Sequence, residues 1–377
     1  MTKLATTVLV ICVLGLLALG LVMVYSVSPL QESTRFVARQ LVAGAIGLTV
    51  AGALAVRLNY RDLKRVSTLL FVLALLMLLA VLVPGLGHRA NGARRWFRLG
   101  ALQFQPSDFA KLALMIALAH YGERWQRQMG TFKLGVLAPV GLVGAVTGLI
   151  FLEPDWGTAL LLGAVSATVL LVAGVRWPYV LGPVALGALA LGVLLYFNPE
   201  RSDRVYSWLH LEETKDGTGY QVYQAQVALG KGGRTGTGLN TSTQKLFVPE
   251  HRTDFLAAIV GEEFGYAGSL AVMAAFLGVF ICGLVIAWRA PDRFGLLLGT
   301  GISFLIGLQA FINIGVVSGA LPNKGLALPF VSYGGTDLIA MLLCIGVLLS
   351  VARGSTEPEP AELAPLGRLE TPLTRLA

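Results

Sequence analysis

Charge is what this sequence has least of. Asp, Glu, Lys and Arg supply 13% of its 377 residues, against roughly a quarter in ordinary soluble domains. With 55% hydrophobic residues and a mean hydropathy of +0.72, the chain reads as a membrane protein. Cysteine is also scarce. Cys12, Cys282 and Cys344 all lie inside apolar runs without metal-ligand spacing, which excludes a disulfide framework and a cysteine metal site. The alternating segments of about ten residues that build an outer-membrane barrel are absent. So is a GxxxxGK[ST] loop, although Gly230 to Gly238 is glycine-rich; those glycines are expected to serve turns and close backbone approach. The net charge of +8 comes from basic residues in loops between apolar blocks and from no basic soluble domain. That pattern excludes nucleic acid and favours anionic lipid as a partner.

What the chain does contain is a series of apolar runs long enough to cross a hydrocarbon core of about 30 Å as helices. Residues 1–26 carry only Lys3 before some twenty apolar residues, longer than the apolar part of a cleaved signal, so they count as a retained first span. Further spans are expected at 36–56, 67–84, 108–121, 134–152, 157–175, 179–197, 265–288, 295–318 and 336–352. The fold class is therefore an all-α polytopic membrane protein with about ten transmembrane helices. Its transmembrane domain is 1–352, with one large loop, about 198–264, between spans 7 and 8. The Pro-, Glu- and Thr-rich tail 353–377 reads as disordered.

Lys and Arg distribution sets the orientation. With both termini cytoplasmic, the inner loops and ends hold 14 basic residues against six outside, once the long segment 198–264 is left out of the comparison. Four of those six, Arg89, Arg94, Arg95 and Arg98, fall in the loop between spans 3 and 4, which has no acidic residue. Two readings stay open there: arginines snorkelling beside Trp96 and Phe97, or an outward anion site of bidentate guanidinium groups. Lys111 opens span 4, three residues after Asp108, and either pairs with it or binds a ligand. The outer turn Glu153-Pro154-Asp155-Trp156 supplies carboxylates that are turn formers, partners of the basic loop or a cation site. Tyr220 to Gln226 suggests a re-entrant or interfacial helix, and Leu321 to Gly335, with Lys324 and Tyr333, a second outer loop.

Arg39, Lys111, Asp254, Glu262, Glu263 and Asp337 all fall toward the outer leaflet, which argues against the midplane charges of an ion-coupled transporter. Asp254, in PEHRTDF, stands at the start of an apolar helical run. Glu262, two turns on, would lie about 12 Å away along the axis, too far for a carboxylate pair sharing one water. Asp254 is therefore either a helix cap or a single general base that deprotonates a hydroxyl nucleophile.

NGARRW (Asn91 to Trp96), QPSDFAK (Gln105 to Lys111), EPDWGTA (Glu153 to Ala159), GTGYQ (Gly217 to Gln221), PEHRTDF (Pro249 to Phe255), GEEFGYAG (Gly261 to Gly268) and LPFVSYGG (Leu328 to Gly335) together resemble the SEDS proteins, in the same order and topology. GTGYQ, the Ser-x-Gln-Lys of Ser242 to Lys245, GEEFGYAG and NKGLALPF look more like the division branch, FtsW, than the elongation branch, RodA. The resemblance implies an inverting peptidoglycan glycosyltransferase that polymerises lipid II on undecaprenyl-diphosphate-linked glycan, at the outer face of the bacterial cytoplasmic membrane. Its implied partners are a class B penicillin-binding protein and other divisome or elongasome membrane proteins. Asp254 is then the catalytic residue, with Arg94, Arg95, Lys111, Glu153, Lys324 and Tyr333 as substrate-binding candidates. A divalent cation, Mg or Mn, is the one cofactor candidate. Where the family commonly has histidine before the Thr-Asp pair, this chain has Arg252, with His251 in the variable place, so neither receives a catalytic role. A lipid II flippase and a non-catalytic scaffold for a penicillin-binding protein stand as the rival readings.

Overall fold

The computed structural model describes residues 2–28, 33–90, 93–99 and 102–355. Asn91 and Gly92 of the arginine loop, and most of the tail 353–377, lie outside the described residues. Seven long helices come first: α1 (Thr2–Val27), α2 (Ser33–Arg57), α3 (Leu63–Leu82), α4 (Pro106–Arg124), α5 (Ala138–Leu152), α6 (Trp156–Ala173) and α7 (Trp177–Phe197). Three shorter ones follow, α8 (Pro199–Leu209), α9 (Leu211–Thr214) and α10 (Tyr220–Gly232). The long helices α11 (Leu256–Trp288), α12 (Arg293–Val317) and α13 (Gly335–Gly354) complete the bundle.

Among the described residues, nine helices are long and apolar enough to cross a membrane. The tenth long helix, α4, carries Asp108, Lys111, Glu123 and Arg124. It packs against α3, α5, α6, α12 and α13, so neighbouring helices rather than lipid surround its polar side chains. Charges also mark the two ends of the bundle. At one end Arg61 and the Tyr60 hydroxyl both bond Asp292 at 2.7 Å, and Lys64 pairs with Glu123 at 2.8 Å. The opposite end gathers Arg95, the Glu153 to Trp156 turn, Asp254 and the Leu321 to Gly335 loop.

Two segments differ from the sequence-based expectation. The arginine loop is not irregular: β1 (His88–Ala90), β2 (Ala93–Leu99) and β3 (Leu102–Phe104) form an antiparallel sheet in that order, with Arg89 opposite Arg94 and Phe97 opposite Phe104. Strands of three to seven residues carry too little periodic signal to stand out beside twenty-residue helices. The second difference is α11, which begins at Leu256 and not near residue 265. The paired glutamates hide that extra helical stretch in the sequence, yet both are buried and each accepts at least one hydrogen bond, Glu263 through Oε1 alone. Glu262 accepts from Ser242 Oγ, from the amides of Thr243 and Gln244 and from Thr243 Oγ1, and Glu263 accepts from Ser26 Oγ at 2.5 Å.

Gly265 interrupts α11 with φ 68° and ψ −163°. Backbone groups freed by the break find partners in the glycine-rich run: Thr237 N donates to Glu262 O at 2.9 Å, Gly238 N to Glu263 O at 3.0 Å, and Tyr266 N to Gly233 O at 2.9 Å. That is the close approach expected of Gly230 to Gly238. A Cβ at Gly265 would sit 2.8 Å from the Arg234 carbonyl carbon, and left-handed backbone costs an L-residue roughly 1–2 kcal/mol before any clash. Gly265→Ala is therefore expected to lower the melting temperature of the purified protein in detergent. Gly163→Ala, where a Cβ meets nothing within 4 Å, should leave it in place.

Candidate active site

Asp254 lies in a turn immediately before α11, not inside it. Thr253 N and Phe255 N both donate to Glu250 O, at 3.1 and 3.3 Å, across a residue with φ 53°. Phe255 is the N-cap residue and no side chain caps the helix, so the Asp254 carboxylate is not spent on capping. The turn is clamped to the Leu321 to Gly335 loop. Ser332 Oγ donates to Thr253 O at 2.5 Å, Tyr333 N to Arg252 O at 2.9 Å, and Asn313 Nδ2 to both Asp254 O at 2.7 Å and Leu326 O at 2.6 Å. Gly325, with φ 60°, faces the carboxylate directly: a Cβ there would stand 3.1 Å from Asp254 Oδ2.

Burial pushes the Asp254 carboxyl up to about 7. The negative charges of Glu250 and Asp155 push the same way; the Arg95 guanidinium pulls back, and Asp337 adds a smaller upward push. A carboxylate that holds its proton this tightly is a stronger base than an exposed aspartate, and it still ionises near neutral pH, where a general base works best. Glu262 is held by the 242–244 segment and does not form a pair with it.

The substrate-binding candidates are placed unevenly around this carboxylate. Arg95 reaches the turn between α5 and α6, where its Nε donates to Glu153 O at 2.9 Å and a terminal nitrogen to Pro154 O at 2.5 Å. Arg94 is half-buried on β2 and makes no hydrogen bond or ion pair with a described residue. Glu153 is fully buried and neither carboxyl oxygen has a partner among the described residues. Burial, with a smaller push from Asp155, raises its pKa to about 9. It is thus protonated at neutral pH, and Arg95 takes the backbone carbonyls beside it instead of its charge.

Lys111 is not a free cation. Its Nζ lies 3.0 Å from Asp108 Oδ1, 2.8 Å from Asp337 Oδ1 and 3.4 Å from Gln309 Oε1, while Thr336 Oγ1 donates to Asp108 Oδ2 at 2.8 Å. The pairing of Lys111 with Asp108 is as the spacing suggested; the second carboxylate, from α13, is added by the fold. Lys324 is half-buried and makes no hydrogen bond or ion pair with a described residue. Its ammonium is depressed by burial first and then by the nearby Arg204 and Arg201. The Tyr333 ring packs edge-on against Phe36 with centroids 5.3 Å apart, and Arg252 stacks over the same Phe36 at 4.4 Å. His251 is turned to the backbone, its Nδ1 lying 2.9 Å from Val248 O.

Asn313 was not singled out from the sequence, nor was Gln309, one turn earlier on the same face of α12. Their signal was there to read: two amides four residues apart inside an apolar helix need internal partners. Gln309 Nε2 donates to Ala327 O at 3.0 Å, so both amides anchor the loop that faces Asp254. Asn313→Ala is expected to lower turnover roughly tenfold, as loss of an orienting contact commonly does. KM should change less than kcat in steady-state kinetics, because the residue positions the base and touches no substrate.

Among the described residues no three His, Cys, Asp or Glu side chains gather as a metal site.

Residues 6–357 match the FtsW/RodA/SpoVE family model, described as a cell cycle protein. A probable peptidoglycan glycosyltransferase FtsW of Coxiella burnetii is 40% identical over 356 residues, 91% of this chain and 95% of that protein. Stage V sporulation protein E of Bacillus subtilis is 38% identical, with 92% and 96% covered. Among solved structures, a chain from a peptidoglycan synthase complex that coordinates polymerization and crosslinking superposes with a TM-score of 0.76 at 31% identity, covering 93% of this chain and 98% of that one. The rod shape determining protein RodA of Thermus thermophilus gives 0.69 at 30% identity, with 93% and 97% covered. A multi-pass helical membrane protein with these motifs, and with matches over nearly its whole length, belongs to the FtsW/RodA/SpoVE family of cell cycle proteins, the SEDS family.

Proposed function

We propose that the chain is an inverting peptidoglycan glycosyltransferase that polymerises lipid II. The observation that carries this reading is the Asp254 carboxylate: buried, free of a capping role, raised to about 7, and set beside an end of the bundle rich in arginine and lysine. Asp254 takes the proton from the GlcNAc 4-hydroxyl of an incoming lipid II. The hydroxyl oxygen then forms a bond to the anomeric carbon of the MurNAc at the reducing end of the growing strand. The bond from that carbon to the diphosphate breaks, and undecaprenyl diphosphate leaves with the electron pair. Attack opposite the leaving group inverts the anomeric centre. Of the candidate cations, Arg94 and Lys324 make no hydrogen bond or ion pair with a described residue, and these two are assigned to the diphosphate charge, with Arg95 holding the turn beside them.

The site faces outward in the bacterial cytoplasmic membrane, with both termini inside, in line with the excess of basic residues in the opposite loops. A class B penicillin-binding protein is the partner, supported by the similarity to a chain of a peptidoglycan synthase complex. Septal synthesis is favoured over elongation by the relatives named FtsW, which match at 35–40% identity. The decisive assay incubates the purified protein, with and without that partner, with purified lipid II and resolves the glycan products on a gel. Polymer that requires Asp254 supports a polymerase. Transport of lipid II across vesicles without polymer would favour a flippase, and loss of partner binding without loss of polymer would favour a scaffold.

A further inference from the structure

At the end of the bundle opposite Asp254, the carboxylates of the described residues already have cations. Asp292 pairs with Arg61, Glu123 with Lys64 and Asp62 with Arg65. Arg127, Lys133 and Arg176 are exposed and make no hydrogen bond or ion pair with a described residue. The fold gathers these three on one edge. Arg127 lies in the connection from α4 to α5, Lys133 opens the π-helical turn Lys133–Leu137 that leads into α5, and Arg176 is the residue before α7. The connections pack on each other through buried Met129, whose side chain lies beside Gly174 and whose carbonyl lies against Gly135. The Phe132 ring meets the Tyr179 ring edge-on with centroids 5.8 Å apart, and a Cβ on Gly130 would stand 3.7 Å from Arg176 Nε.

Apolar side chains continue this edge along the helices. Phe132 and Trp177, beside Lys133 and Arg176, are 60% and 66% exposed. One and two turns further on, Leu137 and Val140 of α5 and Leu181 and Val184 of α7 are exposed as well, at the spacing that keeps each set on one helix face. Gly141 and Gly144, on the same face of α5, have open space where a side chain would stand, and α7 touches the Lys133–Leu137 turn, so the two faces border a shallow trough. Cations, then aromatic rings, then an apolar trough follow the layering of a phospholipid: headgroup, ester region and acyl chain. An acidic protein segment would match the charges but leave the apolar faces beneath them uncovered.

We propose that Arg127, Lys133 and Arg176, with Phe132 and Trp177, bind one anionic phospholipid, its phosphate held by the three cations and an acyl chain lying along the trough between α5 and α7. Under the orientation proposed above, the lipid belongs to the cytoplasmic leaflet. Guanidinium groups can clasp the phosphate through paired N–H donors, and the lysine adds a point charge. Phosphatidylglycerol brings a net negative headgroup, whereas the choline of phosphatidylcholine opposes the same cations, so the site selects the first over the second. The inference does not depend on the polymerase reading.

Native mass spectrometry of the full-length protein, released from nanodiscs of equal parts phosphatidylglycerol and phosphatidylcholine, reads the site. One phosphatidylglycerol is expected to stay on the unaltered protein and to be lost from R127Q/K133Q/R176Q. The apparent Kd should rise about a hundredfold, since each Lys or Arg beside an anionic lipid contributes roughly a factor of five. R127K/R176K should keep the lipid, and so should R57Q/R65Q/R124Q, which removes the same charge from the same end. The melting temperature in phosphatidylcholine nanodiscs checks folding; if the triple variant melts early, the three single variants, each expected to cost about fivefold, carry the test. The proposal is overturned by a lipid that stays on R127Q/K133Q/R176Q, by equal loss from R57Q/R65Q/R124Q, or by phosphatidylcholine held as firmly as phosphatidylglycerol. It is also overturned if phosphatidylglycerol stays only on a protein truncated after Ser355, because the segment carrying Glu357, Glu359, Glu362 and Glu370 would then be the occupant.

Discussion

Replacing Lys111 with methionine is expected to cost the bundle several kcal/mol and to lower its melting temperature more than any other single change considered for this chain. The Lys111 side chain is 5% accessible and its ammonium sits between Asp108 on α4 and Asp337 on α13, at 3.0 and 2.8 Å. Methionine fills a similar volume but leaves two carboxylates facing each other without a cation. Breaking a buried pair in this way costs about 3–5 kcal/mol, chiefly because charge stays buried and uncompensated. The triple variant K111M/D108N/D337N removes both charges along with the lysine and should recover most of the lost stability. Thermal melts in detergent check this directly. The triple variant also separates two roles for Lys111. A cation that only ties α4 to α13 predicts that the stable triple variant polymerises lipid II, whereas a cation that touches diphosphate predicts that it does not.

The largest effect on activity is expected from Asp254→Asn, which keeps the shape of the side chain and removes the base. Polymerisation should fall by at least about 10²-fold and as much as about 10⁴-fold, the usual range for a positioned acid or base. Folding should survive. The native pKa of about 7 lies above the ordinary carboxyl value of 3.8, so the folded state prefers the protonated form. Stability from this group is fully present below about pH 4 and is lost as pH rises through 7. At pH 8, Asp254→Asn is therefore expected to melt at or above the temperature of the unaltered protein, which would set loss of activity apart from loss of fold.

The helices were legible because an apolar run of twenty residues has few alternatives in a chain with this little charge. Their ends were legible to within a few residues wherever a loop is polar. Leu256 to Phe264 broke that rule: Glu262 and Glu263 look like loop residues until the hydrogen bonds they accept from the 242–244 segment and from Ser26, remote in sequence, are seen. The hairpin at Ala93 to Leu99 was missed because its pairing depends on partners only a few residues away, and three-residue strands leave no periodic trace. At the site, Asp254 stood out by type and position. Its pKa did not, because that depends on burial beneath the Gly325 backbone and on Glu250, Asp155 and Arg95 converging from separate loops. Lys111 shows the opposite case. Asp108 was visible three residues away, but Asp337, more than two hundred residues on, turns a loose pair into a buried bridge between helices.

The assignment of Asp254 as the base is tested most directly by the rate of lipid II polymerisation by the purified protein, with its partner, between pH 5.5 and 9. The rate should rise with pH as the carboxyl loses its proton, with a midpoint near 7, and the residual rate of Asp254→Asn should show no such step. A flat profile in the unaltered protein, or an Asp254→Asn protein that polymerises at the unaltered rate, would contradict it.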